Sequence, residues 1–220
     1  MRLIAGIDEA GRGPVIGPLV IAGVRVREDL LGELLALGVR DSKRLSPKKR
    51  ERLAGEIPGL VDLQHVEVIQ AHQIDQRRRG ESLNRIEATA MAKILSALRP
   101  DMAQVGSVDV VCERFRSMIL SEMDDAVEID SVHHAEDRFP AVAAASIIAK
   151  VARDRLVETL RREYGNFGSG YPSDPRTRSF IREWYGREGS LPPIVRKSWK
   201  TVQSLVGIQM GLPFSRRSLE

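Results

Sequence analysis

Cysteine is nearly missing from this 220-residue chain, with Cys112 its only example. No intrachain disulfide can form, and without a CxxC pair or a Cys/His cluster there is no structural zinc site. Such cysteine usage suits a reducing compartment, so the expected location is the cytoplasm. No run approaches the ~18 apolar residues of a membrane span, and the N-terminus lacks the zones of a secretory signal. Internal repeats and low-complexity tracts are missing too, which argues against solenoids and disordered tails. Excess charge is small: 34 Lys+Arg against 30 Asp+Glu leave +4, while the pI is 9.4. That combination suggests one basic face that meets a polyanion. What the chain does have is 42% hydrophobic residues and 18 Gly, the apolar content of one or two globular domains with a sizeable core.

The patterning predicts an α/β protein. Strands are expected at Leu3 to Ile7, Pro18 to Val26, Leu63 to Ile69, Ala103 to Val111 and Ala126 to His133. Ser46-Pro47 supplies an N-cap followed by proline at the first helical position, opening a basic helix through Leu53. Leu83, Ile86, Ala90, Ile94 and Leu98 recur at helical spacing, with Asn84 and Glu87 placed as a capping box. The Ala-rich stretch from Pro140 to Tyr164 is the longest helical pattern. After it come a turn-rich loop, GNFGSGYPSDP, and two short helices at Thr177 to Tyr185 and Val195 to Val206. The expected division is 1–164 as an α/β domain, 165–207 as a small helical lobe and 208–220 as a flexible tail.

Chemistry concentrates at Asp8-Glu9, where an apolar strand runs into two carboxylates and then Gly11-Arg12-Gly13. Adjacent acids at a sheet end repel and resist burial, which calls for a cation. The glycines do not form a nucleotide loop: Ile16 stands where GxGxxG needs its third glycine, and Pro18 follows Gly17 where a P-loop needs lysine. Lys43 lies in a loop from which an ammonium can reach a phosphate. Arg77-Arg78-Arg79 reads equally well as a solvated loop or as a backbone-tracking patch. His133-His134-Ala135-Glu136-Asp137 places two acids just before the long helix, where they suit its N-terminal dipole as well as a metal. No serine or cysteine stands in a triad pattern, so covalent catalysis has no support.

The segments GIDEAGRGPVIGPLV, VRDSKRLSPKKRE, SLNRIE, FPAVAAASIIAKVARD, YGNFGSGYPSDPRTR and PPIVRKSW, in this order, resemble archaeal ribonuclease HII over nearly the whole chain. The resemblance implies a ribonuclease H-like mixed sheet flanked by helices. It also implies hydrolysis of RNA in RNA–DNA hybrids and at single ribonucleotides in duplex DNA, with Mg²⁺ or Mn²⁺, two ions, held by four acids. Asp8 and Glu9 match the first two acids. Gly11, Arg12 and Gly13 match the turn that approaches the ribose 2′-OH, and Tyr171 the ring that stacks on the following deoxyribose. Lys43, Arg77 to Arg79 and Arg196-Lys197 are the expected phosphate contacts.

At two positions the chain departs from the family pattern. Gly106 stands in place of an aspartate ending the fourth strand, and Glu136 in place of the fourth acid. Either Asp109, through a bend in the strand, or Asp137 is the expected replacement ligand. A catalytically impaired protein that still binds hybrids is therefore the alternative to an active nuclease. In the tail, Gln209 and Leu212 have glutamine–leucine spacing, but Ser215 and Arg216 follow Phe214 where a paired aromatic would be. A sliding-clamp contact through this tail is accordingly not expected, and the chain is expected to act as a monomer.

Overall fold

The structure is a computed structural model that describes residues 1–39 and 45–207. In chain order its elements are β1 (Leu3–Ala10), β2 (Leu19–Arg27), α1 (Leu31–Leu37), α2 (Pro47–Glu56), β3 (Leu63–Ile69), α3 (Ala71–Arg77), α4 (Leu83–Leu98), β4 (Met102–Gly106), α5 (Cys112–Leu120), β5 (Glu128–Val132), α6 (Ala135–Arg138), α7 (Pro140–Tyr164), α8 (Pro175–Glu188) and α9 (Lys200–Leu205). The strands form one mixed sheet in the order β3-β2-β1-β4-β5. β1, β2 and β3 pair antiparallel, whereas β1, β4 and β5 run parallel.

Alternation along the strands divides the core. Ala5, Ile7, Leu19 and Ile21 pack beneath α4 and α5, while Val20, Ala22, Val24 and Val26 pack against α1, α2 and α7, as a period of two requires. The alanines of α7 allow its backbone to lie directly on the sheet. At Gly6 the approach is closest, since a Cβ there would run into the backbone of Ala141 and Val142. A third apolar cluster joins Val15, Ile16 and Val157 to Phe167, Ile181, Val195 and Val202. The helical lobe expected over 165–207 thus shares its core with the segment between β1 and β2.

β3, α4 and α7 match the ranges read from the sequence. Elsewhere the structure corrects the reading. β1 continues to Ala10, so Asp8 and Glu9 lie inside the strand, paired with Ala22 and Ile21. β4 stops at Gly106, and Val108 to Val111 form a turn into α5, which the apolar count had merged into one strand. Ser82, not Asn84, caps α4, accepting from Arg85 N at 3.1 Å. α9 begins only at Lys200 because the preceding residues are tied down, Val195 bridging Ile16 and Arg196 N donating to Val15 O at 2.9 Å. Among the described residues no helix is long and apolar enough to cross a membrane.

Because the neighbour of Gly6 is helix backbone, which has no rotamer with which to yield, Gly6→Ala should destabilise the fold by about 3 kcal/mol. Urea denaturation followed by circular dichroism checks this, and a midpoint equal to the parent's would show that α7 can lift from the sheet at little cost.

Candidate active site

The sheet end and the loops around it enclose a cleft of about 560 Å³. Its acidic wall starts at Asp8. An even-numbered position on β1 faces α7, where polar side chains interrupt the apolar helix at Ser146, Lys150 and Arg153. The Ser146 hydroxyl hydrogen-bonds the Asp8 carboxylate, and the Lys150 ammonium in turn donates to Ser146 Oγ. Burial raises Asp8, opposed by the charge of Lys150 and reinforced by that of Glu136. Burial also pushes Glu9 up to about 8, and the neighbouring Asp8 adds to the shift. Glu136, in the first turn of α6, is itself buried. Three carboxylates close together are a set of hard oxygen donors, and their mutual repulsion, which the charges of Lys150 and Arg12 offset in part, is what a divalent cation relieves.

The parallel register pairs Ile7 with Val105, which sets Gly106 beside Asp8. A Cβ on Gly106 would lie 3.2 Å from Asp8 Oδ1, so this position borders the acidic cluster and contributes no ligand to it. Asp109 does not fill the gap, contrary to expectation, nor does it line the cleft. Its Oδ1 accepts from Val111 N at 2.9 Å, its Oδ2 from Asn84 Nδ2 at 2.8 Å and Arg114 Nε at 3.0 Å, and Arg114 Nη2 closes a second contact on Oδ1. The carboxylate is saturated and serves the entry to α5. Asp137 lies nearer: one ligand atom each from His134, Glu136 and Asp137 fall within 4.8 Å of one another. Asp137 is exposed, however, and does not line the cleft.

The opposite wall is the turn from Gly11 to Gly13. Gly11 has φ of +92°, and a Cβ there would fall 2.5 Å from Arg153 Nε, so a side chain is excluded twice over. The Arg12 guanidinium engages Glu87 and Asn84 of α4, with Asn84 Oδ1 at 2.7 Å, and its charge also bears on Glu9. The Glu87 carboxylate is fully buried. From the other side the turn is gripped by Arg196, expected to touch phosphate but in fact wholly buried. Its guanidinium donates to the carbonyls of Gly11 at 2.6 Å, Arg12 at 3.0 Å and Gly17 at 3.0 Å. Burial lowers it to about 9, which leaves it charged at neutral pH.

Tyr171 stands over Gly13 with its ring 43% exposed. Its loop is sewn to the same segment, since Gly170 O accepts from Val15 N at 2.8 Å and Ile16 N at 3.2 Å. The other expected phosphate contacts fare differently. Arg77 is engaged by Glu81 and Thr89, and Arg78 by the Glu81 carbonyl. Lys197 is exposed. Lys43 and the tail with Gln209 and Phe214 lie outside the described residues. Sequence reasoning missed Ser146, Lys150 and Arg153, although polar residues three and four apart in an otherwise apolar helix were a usable signal.

The pairing of Asp109 holds its carboxyl down at about 2, through Arg114 first and the Val111 amide next. A lowered folded-state pKa adds stability above the unfolded value near 4, and that stability is lost as pH falls towards 2. Asp109→Asn should therefore unfold at lower urea than the parent at about pH 6, with the gap closing towards about pH 2. A gap independent of pH would mean that the charge on Asp109 contributes nothing.

Residues 5–202 match the family model described as Ribonuclease HII. The chain is 50% identical over 204 residues to a ribonuclease HII of Thermococcus kodakarensis, covering 92% of this chain and 89% of that protein. It is 48% identical to one of Thermococcus onnurineus, with the same coverage. Among solved structures, ribonuclease H2 of Pyrococcus horikoshii superposes with a TM-score of 0.87 at 42% identity, covering 93% of this chain and 97% of that one. The ribonuclease HII of Archaeoglobus fulgidus, determined in a complex with PCNA, gives 0.83 at 44% identity, covering 92% and 96%. The fold alone extends to a Bst ribonuclease HIII in complex with Mn²⁺, at 24% identity, a TM-score of 0.81 and coverage of 94% and 70%. The chain therefore belongs to the ribonuclease HII family, the endoribonucleases that act on RNA in RNA–DNA hybrids.

Proposed function

We propose that this chain is a metal-dependent endonuclease that incises duplex DNA at single ribonucleotides as well as cutting the RNA strand of hybrids. The observation that carries this reading is the pairing, across one cleft, of the acidic wall Asp8, Glu9 and Glu136 with the Gly11 to Gly13 turn and Tyr171. One wall suits phosphate chemistry and the other suits reading a sugar. The acidic wall fits Mg²⁺ or Mn²⁺, being all hard oxygen. Asp8, Glu9 and Glu136 would hold the ion, which when bound supplies Lewis acidity at the scissile phosphate and eases deprotonation of water.

The rest is the work of the protein's own groups. Lys150, through Ser146, fixes the orientation of Asp8. Arg196 from one side and Glu87 with Asn84 from the other hold the turn still, so that its backbone meets a 2′-OH without reorganisation. The exposed Tyr171 ring gives the next sugar a flat apolar seat.

Gly106 favours a second reading, in which the chain binds the same duplexes but cleaves slowly. The two separate in one experiment with three 5′-labelled duplexes: a hybrid, a DNA carrying one ribonucleotide, and all DNA. The parent should incise the second at one site in Mg²⁺ or Mn²⁺ and leave the third intact, and Gly106→Asp should raise the rate by roughly tenfold or more by restoring a ligand. Binding without incision in either metal selects the second reading, and equal cutting of all three duplexes removes both. Tyr171→Ala should lower kcat/KM at the embedded ribonucleotide roughly ten- to a hundredfold. Tyr171→Phe should keep most of the activity, and equal losses in both variants would transfer the effect to the hydroxyl.

A further inference from the structure

Arg153 is a cleft residue whose Nε and Nη2 find no hydrogen-bond partner in the fold. It lies one turn beyond Lys150 on α7 and is only 9% exposed. Its Nε and Nη2 are buried and donate to no group. The nearest carboxylate oxygen, Asp154 Oδ1, is 4.0 Å from Nη1, too far for a hydrogen bond. Asp154 is instead used by Arg50, whose Nη2 lies 3.2 Å from Oδ2. The contrast with Arg196 is instructive, because there every nitrogen of the guanidinium finds a carbonyl within 3.0 Å. An arginine buried without partners is costly and is kept when something outside the chain completes it.

Its surroundings identify the missing partner. Gly11 lies against Nε and Cδ, the Tyr171 ring centre is 6.0 Å from Cζ, and the charges of Arg196 and Arg161 bear on the same region. Asp154 is the carboxylate whose charge acts on Arg153, yet the free Nε and Nη2 donors lie on one edge of a planar guanidinium, which suits an anion with two acceptor oxygens. A phosphodiester attached to a sugar lying on Tyr171 would arrive at this spot.

We infer that Arg153 binds the non-bridging oxygens of the backbone phosphate next to the sugar seated on Tyr171, and so sets the register of the strand against Asp8 and Glu9. This inference rests on the function proposed above and adds to it a phosphate subsite on α7. It also gives Gly11 a second task, since any side chain there would displace the guanidinium that receives the phosphate.

The test uses the full chain and a short duplex with one ribonucleotide, titrated by fluorescence anisotropy in EDTA so that no cleavage occurs. Arg153→Met should weaken binding roughly ten- to a hundredfold, and Arg153→Lys should recover part of the loss by returning charge without the fork. The slope of log affinity against log salt should shrink by about one in Arg153→Met. Neutral methylphosphonates placed one at a time along the strand then locate the contact. One position should weaken the parent but not Arg153→Met. Removing an unpaired buried charge should leave the melting temperature unchanged or higher, whereas a structural role would lower it. Unchanged affinity in Arg153→Met, a lowered melting temperature with equal losses at every methylphosphonate position, or no position whose penalty disappears would each overturn the inference. If the parent itself fails to prefer the ribonucleotide duplex over all DNA, the functional reading falls instead.

Discussion

The cleft depends on one buried cation. Three carbonyls of the segment between β1 and β2, those of Gly11, Arg12 and Gly17, converge on the Arg196 guanidinium. A glycine-rich turn has high conformational entropy when free, and carbonyls pointing inward would repel one another without a donor at their focus. Arg196 removes both difficulties and ties residues 11–17 to a segment nearly two hundred residues later in the chain. Because the same segment receives Tyr171 through Gly170, both elements that would meet a sugar are referred to one origin. The helical lobe is thus a clamp on the turn as much as a separate unit.

A second set of contacts holds the turn from the opposite side, and here Asp109 finds a different use from the one expected. Asn84 accepts from Arg12 and donates to Asp109, so the turn, α4 and the start of α5 form one hydrogen-bonded chain ending at Arg114. Glu87 is the anchor: its fully buried carboxylate meets the guanidinium of Arg12. The side chain of the central turn residue is therefore spent on rigidity, and its backbone is left to face the cleft.

What the sequence made legible follows from local physics. The helices over 83–98 and 140–164 and the strand over 63–69 were readable because periodicity and capping chemistry are short-range. The acidic pair, the turn and Tyr171 could be placed in one site only through the resemblance of whole segments. The fates of Arg77, Asp109 and Arg196 were not legible, since one-letter code does not say whether a charged group will find a partner inside the fold. Arg196 and Arg153 look alike in sequence and both end buried, yet one is saturated by carbonyls and the other is not. Tertiary pairing decides the difference, at separations in sequence that no window sees.

Gly106 shows the same principle at the acidic wall. Each carboxylate packed beside Asp8 adds repulsion in the empty cleft and attraction once a cation arrives, so the number of acids sets a balance between stability without metal and affinity for it. With glycine at 106 no further carboxylate is added to the burial and the Glu136 charge that raise Asp8, and the charge of Lys150 opposes them. A Cβ at Gly106 would meet Asp8 Oδ1, whereas the turn from Gly11 to Gly13 is held by Arg196, so under the proposed function a change at 106 would bear on ion binding first and leave the hydrogen bonds of the turn in place. On that reading chemistry and recognition would rest on two networks that meet where the charge of Arg12 bears on Glu9, and a single residue could alter the first while the hydrogen bonds of the second stay in place.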